Sequence, residues 1–257
     1  MQRSQPAAVG GDSAACGHAA LIRCPRRYTP AMSRRSFLVT LAAVFGVLWT
    51  VLAIAPLERD TWLLENMLLV LGALFLWFTR RLLPLSTASY SLLFAFFCLH
   101  AIGAHFTYSL VPYDDALRTL SGYSFNDAFG LSRNHYDRLV HLAYGALLLL
   151  PFRELLMRSA GVRGFWSYFL PLDLVMSTSL LYELIEWGAA VVYGGDLGAA
   201  FLGTQGDEWD AHRDMALAGL GGLLAAVAVL AVNRRQRRDI TLHWFARLDA
   251  NRGETER

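Results

Sequence analysis

The sequence predicts an all-α fold: a polytopic membrane protein whose six transmembrane helices form one bundle. Two observations support this prediction. Hydrophobic residues make up 55% of the 257 residues and charged residues only 17%, which is more apolar than an ordinary soluble domain. The apolar residues also stand in long blocks, and a helix of about 20 apolar residues crosses the hydrocarbon core of a bilayer.

The blocks follow one another along the chain with short connections. We predict six helices at about 37–55, 62–79, 89–108, 138–157, 167–192 and 214–232. Together they form one transmembrane domain over residues 32–232 and leave no segment long enough for a separate soluble domain.

The two ends of the chain differ from the blocks in composition. Residues 1–31 mix Gly, Ala, Ser, Pro and Arg without periodicity, so we predict a disordered or mis-annotated extension before a true start at Met32. Residues 233–257 are predicted to form a basic cytoplasmic tail. The stretch "SRRSFL" at 33–38 resembles a twin-arginine signal, but the apolar block after it is long for a signal peptide, which favours an anchored helix.

Charge alternates between the connections. All 23 basic residues are arginines, and most of those near the blocks lie before helix one, after helix two, between helices four and five, and after helix six. The other connections are acidic. Because cytoplasmic loops are enriched in Lys and Arg, both termini are predicted to be cytoplasmic and the acidic loops to lie outside.

Ionisable residues gather at the predicted outer ends of three helices. In "NHYDRLVHLAYG", Asp137 and His141 are four residues apart and share a helix face, which Tyr144 continues one turn deeper. In "YELIEWGAA", Glu183 and Glu186 share a face within the apolar span. Two such carboxylates repel each other unless a cation, an arginine or a hydrogen-bond network holds them.

The last predicted helix begins after a third acidic stretch, "GTQGDEWDAHRDM". Asp207, Asp210 and Asp214 fall on one face if the helix begins near Gly206, whereas Glu208 and His212 point elsewhere. The same face continues as a small-residue stripe at Ala218, Gly221, Gly222 and Ala225, which permits close approach of another helix.

Other polar side chains complete the predicted site. Arg133 and Arg138 stand near enough in sequence to hold a phosphate. His100 and His105 lie on different faces of helix three, and His105, nearer the outside, is the one we expect at the site. Our assignment is therefore catalytic roles for Glu183, Glu186, His141 and Asp137; substrate binding by Arg133, Arg138, Tyr144 and His105; and metal ligation by Asp207, Asp210 and Asp214.

These motifs, in this order, resemble the YjdF-like family of bacterial inner-membrane proteins. The likeness covers about Phe37 to Val232 and includes "LLEN", "GAHFTYSLVP", "GLSRNHYDRLVH", "YELIEWGAA" and "FLGTQGDEWDAHRDM". It implies a multi-pass protein of the cytoplasmic (inner) membrane and no particular activity. The order of an Asp-x-x-x-His helix start, a Glu-containing helix and an acidic segment before a Gly-rich helix is similar to VanZ in layout, which hints at envelope lipids.

Three functions are compatible with the sequence. The first is a divalent cation site, taking Mg, Mn, Ca or Zn, that binds or processes an anionic envelope lipid or lipid-linked headgroup. The second is a small-solute or proton-coupled transporter, although the acids lie on one side and we find no internal repeat. The third is a structural protein whose arginines neutralise the acids. No basic patch with interleaved aromatics supports nucleic-acid binding.

Overall fold

The apolar blocks form six long helices in the computed structural model, which describes residues 33–195, 198 and 202–255. All six are long and apolar enough to cross a membrane, as predicted. They are α1 (Arg34–Leu52), α2 (Arg59–Thr79), α3 (Thr87–His105), α6 (Tyr136–Ser159), α7 (Trp166–Tyr193) and α8 (Asp210–Gln236). Shorter helices are α4 (Tyr113–Ser121), α5 (Phe125–Phe129) and α9 (Ile240–Thr255), and the described residues contain no strand. The predicted extension at 1–31 lies outside the described residues.

The helix bounds differ from the predicted ones at their polar ends. The first helix begins at Arg34 and ends at Leu52, one turn earlier than predicted, and α8 begins at Asp210 and not at 214. The difference has a physical cause. Hydropathy marks only the apolar part of a helix, whereas its first turn leaves unpaired N–H groups that favour polar and acidic residues.

The bundle is built around α6, which packs on α3, α7 and α8. Its contact with α8 is backbone to backbone. A Cβ atom placed on Gly145 would lie 1.9 Å from the carbonyl oxygen of Ala218, and one on Gly221 would lie 2.1 Å from the carbonyl oxygen of Leu142. The small-residue stripe therefore packs α8 against a neighbouring helix, as predicted.

The first two helices lie at the edge of the bundle, and both pack on α3. Phe45 of α1 meets Phe97 of α3 with 5.7 Å between ring centroids, and no residue of α1 is buried. Large apolar side chains such as Val47, Trp77 and Phe78 are exposed on α1 and α2. Such a surface suits lipid, since a bilayer solvates apolar side chains and a helix pairs the backbone N–H groups of its interior within itself.

The C-terminal end of α6 lies next to α9, which includes most of the predicted basic tail. The side chain of Arg153 on α6 is fully buried and pairs with Asp239 just before α9, while its Nη1 donates to Thr241 Oγ1 at 2.7 Å. Burial raises the pKa of Asp239, but Arg153 and two backbone N–H groups lower it by more, so the net shift is downward. The described part of the tail is thus a docked helix.

Candidate functional site

One end of the bundle collects the ionisable residues singled out in the sequence. It is formed by the starts of α2, α6 and α8, the ends of α3 and α7, and residues 202–209 before α8. Small residues allow this assembly, because the Gly145 and Gly221 contacts bring α6 and α8 together about one turn beyond His141 and about two turns beyond Asp214. The acids divide into two groups, which we call the arginine rim and the buried cluster.

The arginine rim consists of Arg133, Arg138, Arg213, Asp207 and Asp210. Arg133 Nη1 donates to Asp210 Oδ1 at 2.8 Å and to Asp207 Oδ2 at 3.4 Å. Arg138 and Arg213 both pair with Asp207, and Arg138 Nη2 lies 3.5 Å from Asp210 Oδ1. Three guanidinium groups thus surround two carboxylates, an arrangement that neutralises the carboxylates without any ligand.

The rim also fixes the segment that leads into α8. Arg133 Nη1 donates to the Thr204 carbonyl oxygen at 3.0 Å. The Asn134 backbone N–H donates to Gln205 Oε1 at 3.0 Å, and Gln205 Nε2 donates to the Asn134 carbonyl oxygen at 3.1 Å. Burial raises the pKa of Asp207, but the Trp209 N–H group, Arg213 and Arg138 outweigh this effect, so the net shift of the pKa is downward. Asp207 is therefore ionised and pairs with all three arginines of the rim.

The buried cluster consists of Asp137, His141, Glu183 and Asp214. His141 Nε2 lies 3.5 Å from Asp137 Oδ1 and 3.6 Å from Glu183 Oε1. One ligand atom each from Asp137, His141 and Asp214 lies within 4.8 Å of the others. His141, Glu183 and Asp214 are at most 9% exposed. The predicted shared face of Asp137 and His141 is confirmed, and α7 and α8 add one acid each.

Two carboxylate oxygens of the buried cluster have no hydrogen-bond donor among the described residues. They are Glu183 Oε1 and Asp214 Oδ1, and both are shielded from solvent. Within the described part of the chain, every ion pair of Arg133, Arg138 and Arg213 goes to Asp207 or Asp210. Among the described residues, the three acids of the buried cluster therefore form ion pairs with no arginine, and only Asp137 and Glu183 pair with His141. A buried carboxylate without a partner costs several kcal/mol, by order of magnitude.

A second set of residues, which we call the hydrogen-bonded layer, lies beside the buried cluster and consists of Glu65, His100, Tyr108, Tyr182 and Glu186. Tyr182 Oη donates to Glu65 Oε2 at 2.8 Å, and Glu186 lies beside both Tyr182 and Glu183. His100 Nε2 lies 3.0 Å from the Glu65 carbonyl oxygen, which only accepts, so this nitrogen carries the hydrogen. Nδ1 of the neutral ring then accepts from Tyr108 Oη at 2.5 Å. Burial raises the pKa of Tyr108 and keeps it a donor.

The predicted site residues do not all meet. Asp207 and Asp210, expected as metal ligands with Asp214, pair with arginines of the rim instead; Asp207 precedes α8 and so does not share the helix face. His105 lies apart, because its Nδ1 donates to the Leu52 carbonyl oxygen at 2.7 Å. The Tyr144 hydroxyl lies 2.5 Å from Thr178 Oγ1, below His141 on the same face of α6.

Part of the site consists of residues that the sequence did not single out. His100, and not His105, contributes to the hydrogen-bonded layer, and Glu65 of α2, which is not among the predicted site residues, is central to it. Tyr182 was not singled out at all. It stands next to Glu183 in the "YELIEW" stretch, so a buried phenol beside two acids was the available signal.

The arrangement suggests a definite chemistry. The buried cluster offers three carboxylates and an imidazole to a cation, and hard oxygen ligands with one nitrogen suit a divalent ion. The arginine rim borders it, with Arg133 Nη2 and Arg138 Nε lacking a hydrogen-bond acceptor among the described residues. A cation pocket next to underused guanidinium donors is suited to an anionic group.

Comparison with known proteins assigns the family. The family described as "Predicted membrane protein (DUF2238)" matches residues 37–235. "Inner membrane protein YjdF" of Escherichia coli (strain K12) is 36% identical over 182 residues, which cover 70% of this chain and 83% of that protein. No solved structure matches the chain. The likeness in layout to VanZ stays a prediction. The resemblance seen in the motifs is confirmed: the chain is similar to YjdF, and it belongs to the DUF2238 family of predicted membrane proteins.

Proposed function

We propose that this protein binds a divalent cation in the buried cluster and, with that cation, an anionic headgroup at the outer face of the inner membrane. The observation that carries the proposal is the grouping of Asp137, His141 and Asp214, whose ligand atoms lie within 4.8 Å of one another. Glu183 is not part of this group of three, but its Oε1 lies 3.6 Å from His141 Nε2, and we assign it as a fourth ligand.

The spacing of the ligand atoms supports a metal over a direct ion pair. Separations of 3.5 and 3.6 Å between His141 Nε2 and its two carboxylate neighbours are long for hydrogen bonds. Two bonds of about 2.0 Å at a tetrahedral angle place ligand atoms about 3.3 Å apart. A small inward movement of the side chains therefore suffices to bind an ion between them.

The charge of the buried cluster supports the same proposal. Glu183 Oε1 and Asp214 Oδ1 lack donors among the described residues, although both side chains are buried. An ion with two positive charges satisfies both oxygens and offsets the repulsion among the three acids. The imidazole favours Zn or Mn, whereas carboxylates alone would favour Mg or Ca.

The headgroup follows from the surroundings of the ion. Arg133 and Arg138 border the buried cluster and retain unused N–H groups, which suits a phosphate or carboxylate oxygen. A bound cation also polarises a phosphoryl or acyl oxygen and activates water, so processing of the headgroup is within its chemistry. Positive-inside bias supports the outward orientation, and the name of the YjdF relative supports the inner membrane.

A second candidate, a purely structural polar network, is favoured by the arginine rim. There, three arginines satisfy two aspartates completely enough to need no ligand. This account covers the arginine rim but leaves the buried cluster with its unpaired oxygens. The cation site requires Asp214 and Glu183 as ligands, whereas the structural network of the arginine rim does not use them.

The experiment is metal analysis of the purified protein by elemental mass spectrometry after loading with Zn, Mn, Mg or Ca. We expect about one ion per chain in the wild type and loss of that ion in Asp214→Asn and Glu183→Gln. Glu208→Gln is the matched control, because Glu208 is an exposed acid close to the arginine rim. An ion-free wild type, together with an Asp214→Asn variant that is as stable as the wild type or more so, would support the structural network and refute the cation site.

A further inference from the structure

A seam runs between α2 and α7 on the side of the bundle that faces lipid. α2 packs on α3, and α7 packs on α6 and α8, but no extensive contact joins α2 to α7 within the described residues. Across the seam, the Tyr182 hydroxyl of α7 donates to Glu65 Oε2 of α2 at 2.8 Å. A tyrosine–carboxylate hydrogen bond is thus a polar latch between two otherwise loosely associated helices.

Two cavities lie along this seam, of about 310 and 230 Å³. The larger one reaches the buried cluster, since Asp137 and His141 line one end and Leu148 lines the other. The smaller one is bordered by Glu65, Glu186 and Tyr193. Leu68, Tyr182 and Ile185 border both cavities, so these three side chains form the partition between them.

The mouth of the seam is apolar on its outer side. Leu63 and Met67 of α2 and Leu181 and Leu184 of α7 are each more than half exposed, in segments that span the membrane. A molecule that enters here comes from the hydrocarbon of the bilayer and not from water. Most of the remaining lining of the larger cavity is apolar as well, including Leu69, Phe96, Phe97 and Val140.

The length of the larger cavity matches a chain and not a compact solute. Asp137 and Leu148 are separated by eleven residues of α6, or about 17 Å along the helix axis. An elongated apolar cavity with ionisable groups at one end is complementary to an amphiphile. Its polar end fits the headgroup, and its apolar walls fit one hydrocarbon chain.

We infer that a membrane lipid enters sideways between α2 and α7, places one acyl chain in the larger cavity and presents its anionic headgroup to the buried cluster. This inference rests on the proposed cation site and names its ligand class. Tyr182 and Glu65 act as the latch, and the side chains of Leu68 and Ile185 move aside as the chain passes. The bilayer itself delivers the ligand.

The probe is phosphatidylglycerol that carries a diazirine midway along one acyl chain, mixed into phosphatidylcholine nanodiscs that contain the purified full-length protein. Illumination and peptide mass spectrometry locate the label. We expect it on cavity residues of α2, α6 and α7, competed by unlabelled phosphatidylglycerol and not by sn-glycerol 3-phosphate. Equal competition by the soluble headgroup would overturn the assignment of the acyl chain.

Gly72 provides a matched pair of variants. A Cβ atom there would lie 3.6 Å from Phe97 Cζ, an ordinary contact, so Gly72→Ala is expected to fold and label as the wild type does. Gly72→Leu projects into the larger cavity and displaces about two methylene groups of the chain, which weakens labelling about tenfold. Tyr182→Phe removes the latch and should speed labelling.

The metal content of every variant is measured in parallel, which separates the two proposals. Unchanged labelling in Gly72→Leu, or label confined to lipid-facing residues such as Leu184, overturns lipid entry while a bound metal leaves the cation site standing. Cavity labelling in a protein that binds no metal overturns the cation site and the headgroup half of this inference. A bound metal together with Gly72-sensitive labelling supports both proposals.

Discussion

The contact between α6 and α8 makes a sharp prediction about Gly145. In Gly145→Ala, the new Cβ atom would lie 1.9 Å from the Ala218 carbonyl oxygen and 2.6 Å from the Gly222 nitrogen. Both obstacles are backbone atoms, so no side chain can rotate away. The two helices must separate by about 1.5 Å before the contact reaches an ordinary distance.

The separation has an energetic and a chemical cost. Overpacking of this kind costs about 1–3 kcal/mol, and the better helix propensity of alanine returns up to about 1 kcal/mol. We expect a net loss of about 1–2 kcal/mol, or about 2–8 °C in Tm for a domain of this size. Because α6 carries His141 and α8 carries Asp214, the same movement spreads the buried cluster and is expected to weaken binding of the proposed cation.

The assay is thermal unfolding in detergent, with and without added metal, beside metal analysis. Gly188→Ala is the control, since a Cβ atom at Gly188 of α7 meets nothing within 4 Å and alanine favours the helix. We expect that control to match or exceed wild-type stability and to keep its metal. A Gly145→Ala protein as stable as Gly188→Ala would refute the close packing of α6 and α8 and the coupling of that packing to the site.

Two further predictions concern charge. Asp207 has a lowered pKa in the folded protein, so its ionised form stabilises the fold at any pH above its ordinary pKa of 3.8. This stabilisation is lost as the pH falls through the lower pKa of the folded state. Asp207→Asn should therefore flatten the dependence of Tm on pH in that acidic window. Arg153 is fully buried against Asp239, so Arg153→Ala should lower the free energy of unfolding by about 3–5 kcal/mol and release α9. The released helix should be detected as early proteolysis before Ile240. Arg35→Ala, at the exposed start of α1, is the control and should have neither effect.

The number and order of the transmembrane helices were accessible from the sequence because they depend on local properties. A block of about 20 apolar residues is sufficient evidence for a span, whatever its neighbours. The Asp137–His141 pair and the small-residue stripe of α8 were accessible for a similar reason, since both follow from helical periodicity within one segment.

The parts of the site that the sequence did not predict depend on which helices become neighbours. Glu65 is important because α2 faces Tyr182 of α7 across the seam, 117 residues away in the chain. The choice between His100 and His105 depended on the place of α1, whose Leu52 carbonyl oxygen binds His105. The partners of Arg133 and Arg138 lie 69 to 77 residues away, in and next to the segment that leads into α8. No periodicity within one helix contains that information.

The first turn of α6 explains why the two groups of acids are separate. Asp137 and Arg138 are adjacent in sequence, but consecutive residues of a helix point about 100° apart. Arg138 therefore pairs with Asp207 in the arginine rim, while Asp137 approaches His141 in the buried cluster. Among the described residues, the ion pairs of Arg138 all lie in the arginine rim and none reaches the buried cluster. Direct compensation of Asp137, Glu183 and Asp214 is therefore left to protons or to an ion, and the dependence of Tm on added divalent metal distinguishes these sources.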